Sequence, residues 1–146
     1  MKIAIASDHG GFELKNTICD YLTKAGYEIC DMGCDSTDSV NYPDYAFGLC
    51  EKVAKGEFDK GILICGTGIG MSICANKVKG IRCALCSEPV SAALTRRHND
   101  SNVLAMGARI IGSELAKEIV NAFLTTEFEG GRHETRVKMI SDYENK

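Results

Sequence analysis

The amino-acid sequence predicts an α/β protein: a three-layer, Rossmann-like sandwich whose five-stranded parallel sheet is covered by helices on both faces, with an extra helix at the C-terminus. Two observations carry this expectation. Short apolar runs alternate with segments of helical periodicity from the first residue to about residue 125. The run Gly61-Ile62-Leu63-Ile64-Cys65 is apolar without interruption, as a central parallel strand buried on both faces must be.

In chain order, Ile3–Ala6 reads as a buried strand. Phe12–Lys24 follows as a helix, with Leu14, Ile18, Tyr21 and Leu22 on its apolar side and Gly26 as its stop. Tyr27–Met32 is the second strand. A polar loop from Gly33 to Asn41 leads into a helix from about Pro43 to Ala54, proline being tolerated in a first turn because its missing N–H would have no partner there. After the central strand, Gly66–Gly70 opens a helix that runs to about Lys79. Ile81–Cys86 is the fourth strand, Pro89–Arg97 a helix, Val103–Met106 the fifth strand and Ser113–Leu124 a helix. Units this short and regular imply right-handed crossovers. Residues 128–146 are polar, with a narrow apolar stripe at Val137, Ile140 and Tyr143. A terminal helix with so little apolar surface gains little on its own domain, so it is expected to pack on a second subunit. No internal repeat interrupts the pattern, and residues 1–146 read as one domain.

Composition narrows the function classes. A net charge of −3 and a pI near 5.6 give no general attraction to nucleic acid or to an anionic membrane, so any basic site must be local. No secretory pattern opens the chain and no run of about 18 apolar residues occurs, which points to a cytoplasmic protein that neither spans nor binds a membrane. In that setting the eight cysteines are expected to stay reduced. Cys19, Cys30, Cys50, Cys74 and Cys83 sit in apolar periodic segments, where free cysteine packs as a small hydrophobe. Cys83 and Cys86 form a C-x-x-C, but in a strand residues three apart face opposite sides, so no metal site is expected.

Ligands of open α/β sheets bind beyond the carboxyl ends of the strands, so the segments following each strand are the ones to inspect. In Cys65-Gly66-Thr67-Gly68-Ile69-Gly70, three alternating glycines between strand and helix let backbone N–H groups converge on an anion. The spacing fits neither a dinucleotide fingerprint nor a P-loop, and the plainer alternative is a tight turn. Beside that electropositive turn a thiolate is favoured at Cys65, able to act as nucleophile or as proton-transferring base; the plainer alternative is one more buried cysteine. In Ser7-Asp8-His9-Gly10-Gly11, Asp8 and His9 stand at the same edge, suited to sugar hydroxyls or phosphate, or else merely exposed beside a helix cap. In the connecting segment Arg96-Arg97-His98-Asn99-Asp100, His98 can move protons near neutrality, or the basic residues simply answer the helix dipole. In Gly130-Gly131-Arg132-His133-Glu134-Thr135-Arg136, Arg132 and Arg136 stand four apart on one helical face, a pair of forks suited to phosphate or a solvated charged helix.

Together these segments resemble the sugar-phosphate isomerase family of ribose-5-phosphate isomerase B, which also holds allose-6-phosphate and galactose-6-phosphate isomerases. The resemblance is carried by Ser7–Gly11, Asn41–Ala46, Cys65–Gly70, Ala75-Asn76-Lys77, Arg97–Asp100, Gly107-Ala108-Arg109 and Glu129–His133, in order along the whole chain. It implies interconversion of ribose 5-phosphate and ribulose 5-phosphate through an enediol, with no metal and no cofactor. It further implies that Asp8 and His98 assist ring opening, that Cys65 removes the proton next to the carbonyl, and that Thr67 with the N–H groups of Gly66, Gly68, Ile69 and Gly70 holds the enediolate. His9, Arg132 and Arg136 would grip the phosphate with Arg109 close by, while Tyr42, Asn76 and Asn99 line the sugar. The same resemblance implies a homodimer, possibly paired into a tetramer, with active sites at the subunit interface. One branch of the family uses a Glu just after the glycine loop as base; here that position is Met71, which takes no proton. Allose 6-phosphate and galactose 6-phosphate remain alternative substrates. A non-catalytic nucleotide-binding module of similar architecture is the competing class.

Overall fold

The computed structural model describes residues 1–146. Five parallel strands run β1 (Lys2–Ser7), β2 (Glu28–Asp31), β3 (Lys60–Cys65), β4 (Cys83–Leu85) and β5 (Val103–Gly107), in the spatial order β2-β1-β3-β5-β4. The helices are α1 (Phe12–Lys24), α2 (Tyr42–Ala54), α3 (Ile69–Ala75), α4 (Pro89–Asn99), α5 (Ser113–Thr125) and α6 (Arg132–Glu144). None is long and apolar enough to cross a membrane.

Strand alternation splits the core into two layers. Ile3, Ile5, Ile62, Ile64, Leu104 and Met106 meet the apolar faces of α1 and α5 on one side. Ala4, Ala6, Leu63, Cys65, Val103 and Ala105 meet α2 and α3 on the other. The smaller residues on the second side leave room for α2 and α3 to pack close. The strand order reverses between β1 and β3, so the crevice beyond their carboxyl ends is where such a sheet binds a ligand. Asp8 follows β1, and Cys65 ends β3.

The fold class matches the expectation, and several details differ. The helix after the glycine loop stops at Ala75 rather than near Lys79. Asn76 ends it: its side-chain amide donates to the Cys83 carbonyl and accepts from the Cys83 N–H, tying the chain to β4. β4 is only three residues long. Helix α4 continues through His98 and Asn99, which sequence reading assigned to a connecting segment; it ends at Asp100 in the left-handed conformation (φ 46°). Cys30 is exposed rather than packed, because β2 is an edge strand, and Cys19 and Cys83 are only half-buried. Cys83 and Cys86 join opposite core layers, as expected for strand residues three apart. Helix α6 is seated on its own chain through buried His133 and a Glu144 carboxylate that accepts the Gly80 N–H, leaving Met139, Ile140 and Tyr143 exposed.

Candidate active site

Two clusters of the singled-out residues form on one chain. The first surrounds the end of β3, where a cleft of about 430 Å³ is lined by Asp8, Tyr42, Cys65, Gly66, Thr67, Ile69, Gly70, Ile73 and Arg109. Cys65 is 5% exposed, and its Sγ accepts the Gly68 N–H at 3.1 Å. That amide fixes the sulfur against the glycine loop. Gly68 has φ +77°, and a Cβ there would sit 2.8 Å from the Met106 carbonyl carbon, so glycine is needed both for the turn and for the close approach. The Ile69 N–H donates to Thr67 Oγ1 at 3.3 Å, while the N–H groups of Gly66 and Thr67 meet no acceptor within the chain. Together with the Gly70 N–H, which also meets no acceptor, those amides are free donors of the cradle.

The walls of the cleft follow from local contacts. Asp8 is buried, and its Oδ1 accepts the Gly11 N–H at 3.1 Å, capping the short 3-10 turn His9–Gly11. That leaves Oδ2 available. His9 Nδ1 accepts the Val40 N–H at 3.2 Å, so in the neutral ring Nε2 carries the hydrogen and can donate outward. The Arg109 N–H donates to the Gly66 carbonyl at 2.9 Å, and its guanidinium lies over Gly66, where an added Cβ would be 3.0 Å from Nη1. Tyr42 packs its ring against Gly70. Met71 is wholly buried in the core.

Five other cysteines have raised thiol values. Burial pushes the Cys50 thiol up to about 12, and Cys19 and Cys86 up to about 11. Burial raises Cys83 and Cys74 as well. These five are held as neutral thiols.

The second cluster lies at the end of α4. The His98 and His133 rings stack at 4.4 Å with an interplanar angle of 16°, and Glu129 Oε2 lies 3.6 Å from His133 Nε2. Nearly parallel rings aim their in-plane lone pairs side by side rather than at one point, so the trio is arranged as a stack and not as a chelate. Burial, then the neighbouring His98 and Arg132, hold His133 below the ordinary imidazole range, with Glu129 pulling weakly the other way. Arg132 and Arg136 flank His133 on α6 and are exposed. His98 and Asn99 line one cleft with Ser91 and Thr95; Asn99 and Asn76 line another with Arg82 and Ile140. On one chain, therefore, His98, Asn99, Asn76, Arg132 and Arg136 do not line the cleft of Cys65, and His9 and Gly68 stand behind its lining residues. Sequence reading quoted His133 without giving it a role; its burial on His98 is a tertiary contact with no local signature.

The chain is similar to known proteins along its whole length. The family model described as Ribose/Galactose Isomerase matches residues 3–140. The ribose-5-phosphate isomerase B of Escherichia coli is 53% identical over 145 residues, covering 99% of this chain and 97% of its own. The D-erythrulose-4-phosphate isomerase of Pectobacterium atrosepticum is 48% identical over 146 residues, covering 99% and 96%. The solved structure of Clostridium thermocellum ribose-5-phosphate isomerase B is similar with a TM-score of 0.98 at 52% identity, covering 99% of this chain and 98% of that one.

Proposed function

The chain belongs to the ribose/galactose isomerase family and is an aldose–ketose isomerase of sugar phosphates, and from that premise we propose that it interconverts ribose 5-phosphate and ribulose 5-phosphate with the Cys65 thiolate as base. The observation that carries the reading is the Cys65 sulfur accepting an amide hydrogen from the same glycine loop whose Gly66 and Thr67 N–H groups stay free.

The chemistry follows from those groups. Asp8 and His98 take the proton from the anomeric hydroxyl and return one to the ring oxygen, opening the sugar. The Cys65 thiolate removes the C2 proton; the C–H electrons form the C1–C2 double bond, and the carbonyl electrons move onto O1. The loop amides and the Thr67 hydroxyl face that enediolate oxygen, where a single well-placed donor is worth roughly 3–4 kcal/mol. The Cys65 thiol then returns the proton to C1 as the O2 proton passes to O1 and the C2–O2 carbonyl forms, giving the ketose and restoring the thiolate. Every step is a proton transfer, so the scheme requires neither metal nor cofactor. His9, Arg132 and Arg136 bind the phosphate with Arg109 beside them, and Tyr42, Asn76 and Asn99 contact the sugar. The Asn76 amide also bridges to Cys83, which holds it at the end of α3.

This scheme requires residues of both clusters at one substrate, which favours a homodimer in which one chain's Cys65 cleft faces its partner's His98. Exposed Ile69, Ile73, Leu85 and Ile110 beside the cleft offer the apolar surface such an interface needs. The free thiols suit a reducing, cytoplasmic setting.

Two experiments test the reading. Turnover is compared for ribose 5-phosphate, D-erythrulose 4-phosphate, allose 6-phosphate and galactose 6-phosphate; a higher kcat/KM for any of the last three rejects the pentose assignment, and binding of ATP without isomerisation rejects the class. Cys65→Ala and His98→Gln chains, each slow to convert ribose 5-phosphate, are then mixed. Shared sites restore about one quarter of parental activity, because half of randomly paired dimers are mixed and each carries one intact site. No recovery means that each site is built within one chain.

A further inference from the structure

Asp100 breaks two local rules at once. It is the only non-glycine residue with positive φ (46°), and its carboxylate sits at the C-terminus of α4, where the helix dipole is negative. Glycine or a basic residue is what a helix end of this kind ordinarily selects.

The surrounding groups resolve both conflicts. Arg96, 5% exposed, donates through Nη1 to Asp100 Oδ1 at 2.8 Å and to the Ser101 carbonyl at 2.6 Å, and through Nε to the Thr126 carbonyl at 3.3 Å. Arg82 donates through Nη2 to Asp100 Oδ2 at 3.3 Å and to the Asp100 carbonyl at 2.8 Å, and through Nε to the Asn99 carbonyl at 2.9 Å. Two guanidinium groups thereby lock the last turn of α4 to the start of β4 and to the end of α5. His98 is carried by that turn, and its ring nitrogens make no hydrogen bond within the chain. Its direction is set by the backbone that Asp100 holds and by the His133 ring stacked on it.

Strained residues and local rule-breaking concentrate where function demands a fixed geometry. From these contacts we infer that Asp100 is a positioning residue for the isomerase reaction: it aims His98 at the sugar ring, and so serves ring opening rather than the enediol step. This rests on the reading of His98 as the ring-opening group.

The test exploits a property of the substrates. Ribulose 5-phosphate cannot close a five-membered ring, because its C5 oxygen carries the phosphate, so exchange of its C1 proton with solvent through the enediol needs no ring step. Asp100→Asn and Asp100→Gly both tolerate the left-handed backbone and keep the chain folded, yet each loses the carboxylate that the arginines grip. Isomerisation of ribose 5-phosphate and deuterium incorporation at C1 of ribulose 5-phosphate in heavy water are measured, with melting temperatures and with His98→Gln as comparator. The expected result is a fall in kcat of about 10–100-fold for isomerisation at little changed KM, with the deuterium exchange rate kept within about two-fold, and the same asymmetry in His98→Gln. Equal losses of isomerisation and exchange, or a lower melting temperature with unchanged kinetics, would make Asp100 a stability residue only and overturn the inference. His98→Gln without asymmetry refutes the ring-opening role itself; asymmetry there but not in folded Asp100 variants refutes this inference alone.

Discussion

Replacing Cys65 by alanine tests the chemistry most directly. The substitution removes one sulfur atom, 5% exposed, from the α2/α3 layer and leaves the Gly68 N–H without its acceptor. The transfer of a group that small and the lost hydrogen bond together cost roughly 1–2 kcal/mol of stability. The backbone is untouched, since Cys65 pairs with Gly107 through main-chain atoms and a smaller side chain does not alter that register. The protein therefore folds. Loss of a positioned proton acceptor lowers the rate by about 10²–10⁴-fold, equivalent to roughly 3–5 kcal/mol of barrier. Phosphate affinity should hold, because the groups assigned to it lie elsewhere. The assay pairs ketose formation with calorimetric titration of a sugar phosphate and a melting curve. A folded Cys65→Ala protein turning over within about ten-fold of the parent, too small a loss for an essential base, would refute the assignment.

Other perturbations read other parts of the molecule. Gly68→Ala forces a side chain into φ +77°, costing roughly 1–2 kcal/mol from the backbone alone, and it crowds the Met106 carbonyl; denaturant titration and turnover should both decline, and an unchanged protein would show the loop to be slack. Arg132→Ala and Arg136→Ala should each weaken binding of ribose 5-phosphate by about ten-fold or more, as loss of a charge-assisted contact implies, and unchanged titration isotherms reject the phosphate role. Lys15, 1% exposed, donates to both Asp31 oxygens at 2.7 and 2.6 Å, so Asp31→Ala strands a buried ammonium and should destabilise by roughly 3 kcal/mol; a change under 1 kcal/mol would mean the ammonium reaches water. For pH, the folded state holds His133 below the ordinary value of 6.5, so the unfolded chain takes up a proton that the folded chain refuses. Stability is full above pH 6.5 and is lost as pH falls below it, until the folded-state value is passed; His133→Gln should flatten that slope, and an identical acid limb in the variant removes the claim.

How much was legible in advance varies by element. β3 was plain because a strand buried on both faces has to be apolar at every position, and Gly61–Cys65 is. The glycine loop was plain because only glycine permits the Gly68 turn and its approach to Met106. The end of α4 was not. Arg96–Asp100 is uniformly polar, so its pattern stops reading as helix before the helix does, and the signal that ends it is an aspartate held by two arginines, one of them from residue 82. Helix α3 was over-read for a similar reason, since the bond that ends it comes from Cys83 across the sheet.

By itself the chain order of residues determined which groups exist, which strands alternate toward which layer, and that a thiol, a glycine cradle and a Ser7–Gly11 turn all fall at strand ends. Those are consequences of short-range sterics and of hydrophobic periodicity, both written locally. Only the tertiary structure decided that Asp8, Tyr42, Cys65 and Arg109 share one cleft while His98, His133 and the two α6 arginines gather at another. Proximity between residues far apart in sequence is set by strand order and helix docking, and these depend on the sum of all packing contacts rather than on any segment alone.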